Sequence, residues 1–207
     1  MDLYFSPAQI YAFNEILGGP ARYACLFGGA RSGKTFLIVR AIILGALKSP
    51  GSRHAILRFR LNAVWTAIAG DVNSTIYVVA KKCFNDLQLI PHRQEAYFEL
   101  PNGSTIWLGG LDDKERGDKI LGREYSTISL NEASEIPYQS VLTALTRLAE
   151  ARHEIRQWAF VDLNPVGKGH WTNRLFREGI DPVSRLAIIY ARSLIQRTTL
   201  AIYPKSI

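Results

Sequence analysis

A glycine-rich segment near the amino terminus constrains this chain more than any other feature. Residues 28–35 read Gly-Gly-Ala-Arg-Ser-Gly-Lys-Thr, which fits the spacing G-x-x-x-x-G-K-[ST]. Glycine lets successive backbone N–H groups converge on a phosphate, and a helix N-terminus behind the loop adds partial positive charge. The apolar residues 23–27 favour a strand before the segment, and residues 34–47 favour a buried helix after it. Strand, loop and helix in this order predict a nucleotide-binding P-loop.

The whole of this loop is predicted to contact nucleotide. Its residues are Gly28, Gly29, Ala30, Arg31, Ser32, Gly33, Lys34 and Thr35. The Lys34 ammonium would reach the β and γ phosphates of ATP, and the Thr35 hydroxyl would ligate Mg²⁺. The alternative is a chance glycine turn, which the flanking strand and helix disfavour.

Two later apolar stretches also end in polar residues. Asn131 and Glu132 follow residues 128–130, and Asn164 follows residues 158–163. Because parallel sheets bind ligands beyond the carboxyl ends of their strands, Glu132 could polarise an attacking water and Asn164 could contact the γ phosphate. The alternatives stay open: Glu132 could be a solvated acid at a helix start, and Asn164 could begin an Asn-Pro turn.

Strand and helix patterns alternate along the chain. A helix is expected after Ser6, with Ile10, Phe13 and Leu17 on one face, and mostly helical structure between residues 61 and 90. Strands are expected at residues 54–59, 126–130 and 158–163, a hairpin at 97–108, and a helical stripe at Val141, Leu142, Leu145 and Leu148. This alternation predicts an α/β fold with a mainly parallel central sheet flanked by helices.

Composition narrows the class further. The chain has 207 residues, 47% of them hydrophobic, and a formal net charge of +7. These values suit one globular domain, and the positive charge permits a polyanionic partner. Two cysteines without CxxC spacing exclude a disulfide scaffold and favour a reducing, intracellular setting. We expect no signal peptide, because the N-terminus has neither a basic n-region nor an apolar h-region. We expect no membrane span, because the longest apolar run covers only residues 36–47.

The three motifs together resemble the ATPase domain of the large terminase subunit, the DNA-packaging motor of tailed bacteriophages and prophages. The resemblance lies in the P-loop, in residues 130–137 (Leu-Asn-Glu-Ala-Ser-Glu-Ile-Pro), in 163–165 (Leu-Asn-Pro) and in 169–172 (Gly-His-Trp-Thr). It runs from about residue 5 to about residue 182. It implies a P-loop NTPase fold of the ASCE type, with ATP and Mg²⁺ as cofactors and ATP hydrolysis that drives double-stranded DNA into a procapsid.

The resemblance also implies roles for individual residues. Glu132 matches the catalytic glutamate, and Asn164 matches the residue that couples hydrolysis to motion. Gln9 matches a glutamine that reads adenine, with Phe5 or Tyr4 stacking on the base; alternatively, Gln9 is a polar residue on a helix surface. Arg31 would act as a catalytic arginine finger in cis. Alternatively, it is a phosphate-contacting or solvent-facing loop arginine. An arginine finger supplied by a neighbouring subunit is equally open.

One position departs from the family pattern. The Walker B strand usually ends in Asp-Glu, but here Asn131 precedes Glu132. Asparagine keeps an acceptor oxygen and loses the charge that holds hydrated Mg²⁺, so Asn131 and Thr35 form an atypical metal pair. Asp162 could supply compensating negative charge.

The implied partners are double-stranded DNA, the small terminase subunit and the portal protein, with a homo-oligomeric ring, no membrane and action in the bacterial host cytoplasm. Phosphate contacts should dominate the interaction with DNA. The candidate basic residues are Lys81, Lys82, Lys114, Arg116, Lys119, Arg147, Arg152 and Arg156. Arg58 and Arg60, at the end of the second strand, could serve the nucleotide, the DNA or neither. The four histidines show no ligand spacing, and His170 is expected to pack with Trp171 after the coupling motif.

The resemblance divides the chain into residues 1–192, a terminase-like P-loop ATPase domain, and residues 193–207, a divergent tail. A shifted reading frame could restore family-like residues in the tail, which suggests a frameshifted prophage remnant without its nuclease domain. Two other functions remain open. One is a vestigial fragment that binds ATP with little or no turnover, and the other is a helicase-like P-loop enzyme.

Overall fold

The computed structural model describes residues 5–18, 22–112, 120–152, 154–178 and the backbone of 199–202. Its centre is one sheet, whose strands are β1 (Tyr23–Gly28), β2 (Arg53–Arg58), β3 (Ile90–His92), β4 (Tyr97–Glu99), β5 (Thr105–Gly110), β6 (Thr127–Leu130), β7 (Trp158–Leu163) and β8 (Thr199–Ile202). The predicted strands near residues 23–27, 54–59, 126–130 and 158–163 and the predicted hairpin are all present.

The strand order is β3-β4-β5-β2-β6-β7-β1-β8. From β5 to β8 all neighbours are parallel, and only β3 and β4 pair in antiparallel fashion. β7 therefore lies between β1, which leads into the glycine-rich loop, and β6, which leads into Glu132. An extra strand in this place is the ASCE arrangement of the P-loop NTPase fold, and it confirms the predicted α/β class.

Helices cover both faces of the sheet. They are α1 (Pro7–Gly18), α2 (Lys34–Lys48), α3 (Leu61–Ala69), α4 (Thr75–Cys83), α5 (Tyr138–Leu145) and α6 (Trp171–Asn173), which continues as a π-helical turn, Arg174–Glu178. Helices α1 to α4 bury one apolar core against the sheet, whereas α5, α6 and the π-helical turn bury the other. Alternate side chains of each buried strand point to opposite cores, so β7 contributes Trp158 and Phe160 to the first and Val161 and Leu163 to the second.

The predicted apolar faces of two helices were wrong in part. Ile10 is 51% exposed, and α1 instead buries Ala12, Phe13 and Ile16. Leu142 is likewise exposed, whereas Val141 is buried. Each helix has more apolar residues than its inner face can bury. Packing against the neighbouring elements determines which of them are buried.

The region from residue 61 to 90 is mostly helical, as predicted, but turns interrupt its helices. Helices α3 and α4 are separated by residues 70–74, where Asp71 and Ser74 form a hydrogen-bonded turn, 2.8 Å from the Asp71 N–H to Ser74 Oγ. After α4, Asn85 and Asp86 adopt left-handed backbone conformations, and Ile90 begins the edge strand β3. Short polar residues such as these favour turns over helix because their side chains bond the local backbone.

Several predictions lie outside the described residues. These are the stacking role of Tyr4, the basic residues Lys114, Arg116 and Lys119, His153, and the tail residues 193–198 and 203–207. Within the predicted tail, the backbone of β8 pairs in parallel with β1. The division at residue 192 stays a prediction. Among the described residues, none of the helices has the length and apolar character needed to cross a bilayer.

Candidate active site

The carboxyl ends of three adjacent strands converge on one point. β1 runs into the glycine-rich loop, β7 into Asn164, and β6 into Asn131 and Glu132. The sheet therefore brings together side chains that lie about 130 positions apart in the chain, such as Lys34 and Asn164. This edge is where parallel α/β sheets bind their ligands.

The glycine-rich loop closes around the Lys34 side chain. Lys34 is 6% exposed, and its Nζ donates to the carbonyl oxygens of Gly28 (2.7 Å) and Gly29 (2.9 Å) and to Ser32 Oγ (3.3 Å). Burial lowers the pKa of Lys34, and the negative charges of Asp162 and Glu132 oppose that shift. Gly33, at φ 84°, turns the loop into α2, so the first N–H groups of the helix face the loop. The arrangement suits a phosphate group above the ammonium.

Thr35 meets a carboxylate of the neighbouring strand. Its Oγ1 donates to Asp162 Oδ2 at 2.8 Å. Asn131 Nδ2 lies 3.1 Å from both carboxylate oxygens of Asp162 and 3.4 Å from Thr35 Oγ1. The sheet register explains this contact: Leu130 pairs with Val161, so Asn131 and Asp162 follow side by side.

Asp162 is almost completely inaccessible to solvent. Burial raises its pKa to about 6, and the charge of Glu132 adds to the rise, whereas hydrogen bonds from Thr35 and Asn131 and the charge of Lys34 lower it. Nearby, the buried Asn131 Oδ1 has no hydrogen-bond partner among the described residues. A buried acceptor without a partner usually marks the place of a water or an ion.

These oxygen donors fit a magnesium ion. Mg²⁺ prefers hydroxyl and carboxylate oxygens and keeps several of its waters, which need acceptors around them. One cluster contains suitable groups of each kind. Thr35 supplies a hydroxyl, Asp162 a carboxylate, and Asn131 an amide oxygen that has no partner among the described residues. No cluster of three or more His, Cys, Asp or Glu side chains offers another metal site in the described part of the chain.

Asn164 bridges the lysine and the glutamate. Lys34 Nζ lies 3.3 Å from Asn164 Oδ1, and Asn164 Nδ2 lies 3.5 Å from Glu132 Oε2, at the long limit of a hydrogen bond. Glu132 has a left-handed backbone, φ 50° and ψ 53°, and its side chain does not cap the 3₁₀ turn that follows, Ala133–Glu135. The observed geometry therefore favours a site carboxylate over a helix-start acid.

Gln9 contacts the loop directly. The Ser6 N–H donates to Gln9 Oε1 (2.8 Å) and the Gln9 N–H donates to Ser6 Oγ (3.3 Å), a reciprocal capping box at the start of α1. Gln9 Nε2 then donates to the Ser32 carbonyl at 3.0 Å. Gln9 thus lies at the phosphate loop, and reading of adenine by this side chain stays a prediction. Phe5 packs on Phe36, with 6.0 Å between ring centroids.

The predicted arginines occupy different surroundings. Arg31 is exposed, with φ 64°, and makes no hydrogen bond or ion pair within the described residues. Arg58 pairs with Glu135, 3.3 Å from Nε to Oε2. Arg58 and the exposed Arg60 line an open cavity of about 700 Å³ that also includes Asp112.

The segment after Asn164 packs on the segment after Glu132, as expected for His170 and Trp171. Trp171 Nε1 donates to the Ile136 carbonyl at 2.9 Å, and His170 Nε2 lies 3.3 Å from the Ser134 carbonyl. The other ring nitrogen of His170 contacts Thr172 Oγ1 at 2.8 Å. Direct contacts outside the sheet therefore join the segments that follow Glu132 and Asn164.

The described DNA candidates lie on different elements and differ in their contacts. Lys81 and Lys82 are exposed in the last turn of α4, and Arg147 is exposed beyond α5. Arg152 instead pairs with Glu150 at 2.9 Å, and Arg156 lies over the Trp158 ring. The side chains of Arg152 and Arg156 therefore already make contacts within the protein.

The fold and these contacts define a P-loop NTPase of the ASCE type. The family model for the phage terminase large subunit matches residues 20–201, and the chain belongs to this family. No curated protein matches the chain.

Solved structures support the same assignment of the fold. The large terminase of a thermophilic bacteriophage, at 16% identity, superimposes with a TM-score of 0.75 over 97% of this chain and 46% of its own. The ATPase domain of a Thermus phage large terminase, at 17% identity, gives 0.55 over 79% of this chain and 66% of its own. The bacteriophage Phi-29 genome packaging motor, at 17% identity, gives 0.51 over 81% and 49%. The chain thus spans less than half the length of the first of these relatives.

Proposed function

We propose that this chain binds ATP with Mg²⁺ and hydrolyses it, as the motor domain of a terminase that moves double-stranded DNA into a procapsid. One observation carries the proposal: Lys34, Asn164 and Glu132 form a continuous set of contacts across three strand ends, 3.3 Å and 3.5 Å apart. A phosphate-binding lysine, an amide and a carboxylate in such contact are the groups that hydrolysis of a γ phosphate requires. A structure of the thermophilic phage terminase was solved in complex with ADP, which supports a nucleotide ligand.

Each residue then has a definite task. Lys34 holds the β and γ phosphates, and Thr35 contributes its hydroxyl to the metal. Bound Mg²⁺ would neutralise negative charge on the phosphate oxygens. Glu132 orients the attacking water and accepts its proton, and Asn164 contacts both the phosphate-binding lysine and this glutamate. We propose Arg31 as the residue that stabilises the transferred charge and Gln9 as the residue nearest the base.

The proposed partners follow from the packaging function. They are double-stranded DNA, the small terminase subunit, the portal protein and further copies of this chain in a ring, in the cytoplasm of a bacterial host. The likeness to the bacteriophage Phi-29 viral genome packaging motor assembly supports a place for this chain in a packaging assembly. The proposed motor domain covers residues 1–192. Nucleotide sequencing of the gene tests the proposed frameshift in residues 193–207. The proposal is wrong if the shifted frame encodes no family-like residues.

Steady-state ATP hydrolysis with and without double-stranded DNA tests the catalytic assignment. Glu132→Gln should lower kcat about 100-fold or more, because proton transfer to a positioned base contributes on that scale. Glu135→Gln is the matched control, since Glu135 is half-exposed and pairs with Arg58 at the surface. Lys34→Ala should abolish ATP hydrolysis. Hydrolysis by Glu132→Gln at the wild-type rate would show that the assignment is wrong.

The second candidate function is a vestigial domain that binds ATP with little or no turnover. The uncharged Asn131 at the usual aspartate position favours it. A single-turnover assay with excess protein and added DNA separates the two functions. The vestigial domain would bind ATP and release no phosphate, whereas the motor domain would release one phosphate for each ATP bound.

A further inference from the structure

We infer that Asp162 carries the negative charge that holds hydrated Mg²⁺ in this site, and that Asn131 positions the Asp162 carboxylate. The role of the Walker B aspartate has thus moved from β6 to β7. This inference rests on the proposed ATPase function. It concerns only which residue supplies the charge, so it can fail while that function stands.

The strand order allows a residue of β7 to take the role that the Walker B aspartate usually has on β6. β7 is the direct neighbour of β1, and Leu26 of β1 pairs with Asp162 of β7. Thr35, in the first turn of α2 after the loop, donates to Asp162 Oδ2 at 2.8 Å, which is shorter than its 3.4 Å separation from Asn131 Nδ2. The carboxylate on the nearer strand thus reaches the metal-binding hydroxyl more closely than the amide on the farther one.

The Asn131 amide is oriented for a supporting role. Its Nδ2 donates toward both oxygens of Asp162 at 3.1 Å, which fixes the carboxylate plane. An aspartate at position 131 would place two buried carboxylates side by side, and like charges at this distance repel strongly. The pair Asn131 and Asp162 keeps one negative charge, the number that the usual Walker B aspartate supplies. The remaining amide oxygen, buried and without a partner in the described residues, can accept from a metal-bound water.

A merely structural Asp162 would anchor Thr35 and have no effect on the metal. Equilibrium binding of a fluorescent ATP analogue to the full chain, over a series of Mg²⁺ concentrations, separates the two roles. Asp162→Asn should raise the Mg²⁺ concentration for half-maximal effect about 10- to 100-fold, the usual cost of losing a partner of a metal site. Its affinity for the analogue without Mg²⁺ should be at least that of the wild type, because a negative charge near the phosphates is gone.

The exchange variant Asn131→Asp with Asp162→Asn returns the charge to β6. It should recover Mg²⁺ dependence to within about tenfold of the wild type, since the amide and carboxylate simply trade places. The control Asp86→Asn removes an exposed carboxylate in a left-handed turn that asparagine tolerates, and it should leave Mg²⁺ dependence unchanged. Wild-type Mg²⁺ dependence in Asp162→Asn, or an exchange variant no better than Asp162→Asn, would overturn the inference.

A failure of Asp162→Asn to fold leaves a direct measurement on the wild type. A crystal structure with Mg²⁺ and a non-hydrolysable ATP analogue should place the Asp162 carboxylate in contact with the metal or with one of its waters. An Asp162 carboxylate out of hydrogen-bond reach of the metal and all its waters would overturn the inference. The Glu132→Gln assay is independent of this result, so failure of the proposed ATPase function is recognised separately.

Discussion

Gly33 lies where the glycine-rich loop, α1 and α2 meet. Its φ of 84° lies in the left-handed region, which costs a residue with a Cβ about 1–2 kcal/mol. A Cβ on Gly33 would also stand 2.6 Å from Gln9 Nε2, the atom that donates to the Ser32 carbonyl. A glycine at this position therefore allows both the conformation of the glycine-rich loop and the close contact of α1 with that loop.

Gly33→Ala should lower the free energy of unfolding, measured by urea denaturation, by at least the backbone cost of about 1–2 kcal/mol. Gly29→Ala is the control, because a Cβ there meets no atom within 4 Å and the backbone is not left-handed. Adding Gln9→Ala should remove the clash but not the backbone cost, so the effect of Gly33→Ala in that background should shrink without vanishing. Equal stability of Gly33→Ala and Gly29→Ala would contradict this account.

At the scale of elements, the local sequence pattern was sufficient to predict which residues lie together at much of the candidate site. Glu132 and Asn164 each follow an apolar run, and Lys34 and Thr35 follow the glycine-rich loop. Because the strand ends of a parallel sheet meet, the sequence predicts that these residues lie together. Asp162 gave a weaker signal, since it lies inside the apolar run of β7. Its position became clear only with the strand order, which depends on contacts distant in sequence.

Helix α1 shows the same limit. Its apolar residues allow several inner faces, and the observed one is set by contacts that periodicity does not contain. The guanidinium of Arg40, on α2, lies 4.1 Å from the centroid of the Phe13 ring. Gln9 donates a hydrogen bond to the Ser32 carbonyl of the glycine-rich loop. These contacts turn Ile10 outward. The existence and the start of the helix were predictable, and its rotation about its own axis was not.

The contact between the segments after β6 and β7 yields a prediction for catalysis. Trp171→Phe removes the bond to the Ile136 carbonyl and leaves a buried acceptor unpaired, which should cost about 1–3 kcal/mol of unfolding free energy. Because residues 133–136 follow Glu132 directly, kcat should fall as well.

Trp107→Phe is the control for this variant. It loses a similar bond, from Nε1 to Thr105 Oγ1 at 3.0 Å, on β5, away from the site. Stability and ATP hydrolysis should therefore separate: both variants lose stability, and only Trp171→Phe loses kcat. An equal kcat in the two variants, measured well below the unfolding temperature, would show that this contact does not support Glu132.

At the scale of the whole molecule, the sheet has polar clusters at both ends. Opposite the candidate active site, Glu150 accepts from Ser126 Oγ (2.7 Å), the Arg53 N–H (2.7 Å) and Arg152 Nη2 (2.9 Å). Burial would raise the pKa of Glu150, but these hydrogen bonds and the charge of Arg152 together lower it. The amino ends of β2 and β6 are thus held by one buried carboxylate.

His54 lies in the same region and is fully buried on β2. Its Nε2 contacts Ser52 Oγ at 2.9 Å, and Nδ1 has no hydrogen-bond partner within the described residues. Burial lowers the pKa of His54 to about 4, the charge of Arg152 also lowers it, and the charge of Glu150 opposes the shift. The imidazole is therefore neutral in the folded protein at neutral pH, and protonation of this side chain opposes folding.

This burial predicts a loss of stability in acid. Between the folded pKa of about 4 and the unfolded value of 6.5, only the unfolded chain binds a proton at His54. The contribution is therefore complete above the unfolded pKa and is lost as the pH falls, by up to about 3 kcal/mol near pH 4. Urea denaturation of the wild type and of His54→Gln from about pH 5 to 8 isolates this term, because other groups titrate in both proteins. The free energy of unfolding of the wild type should fall relative to the variant as the pH drops. A difference that does not change with pH, or an imidazole NMR signal of His54 that titrates near 6.5 in the folded protein, would contradict it.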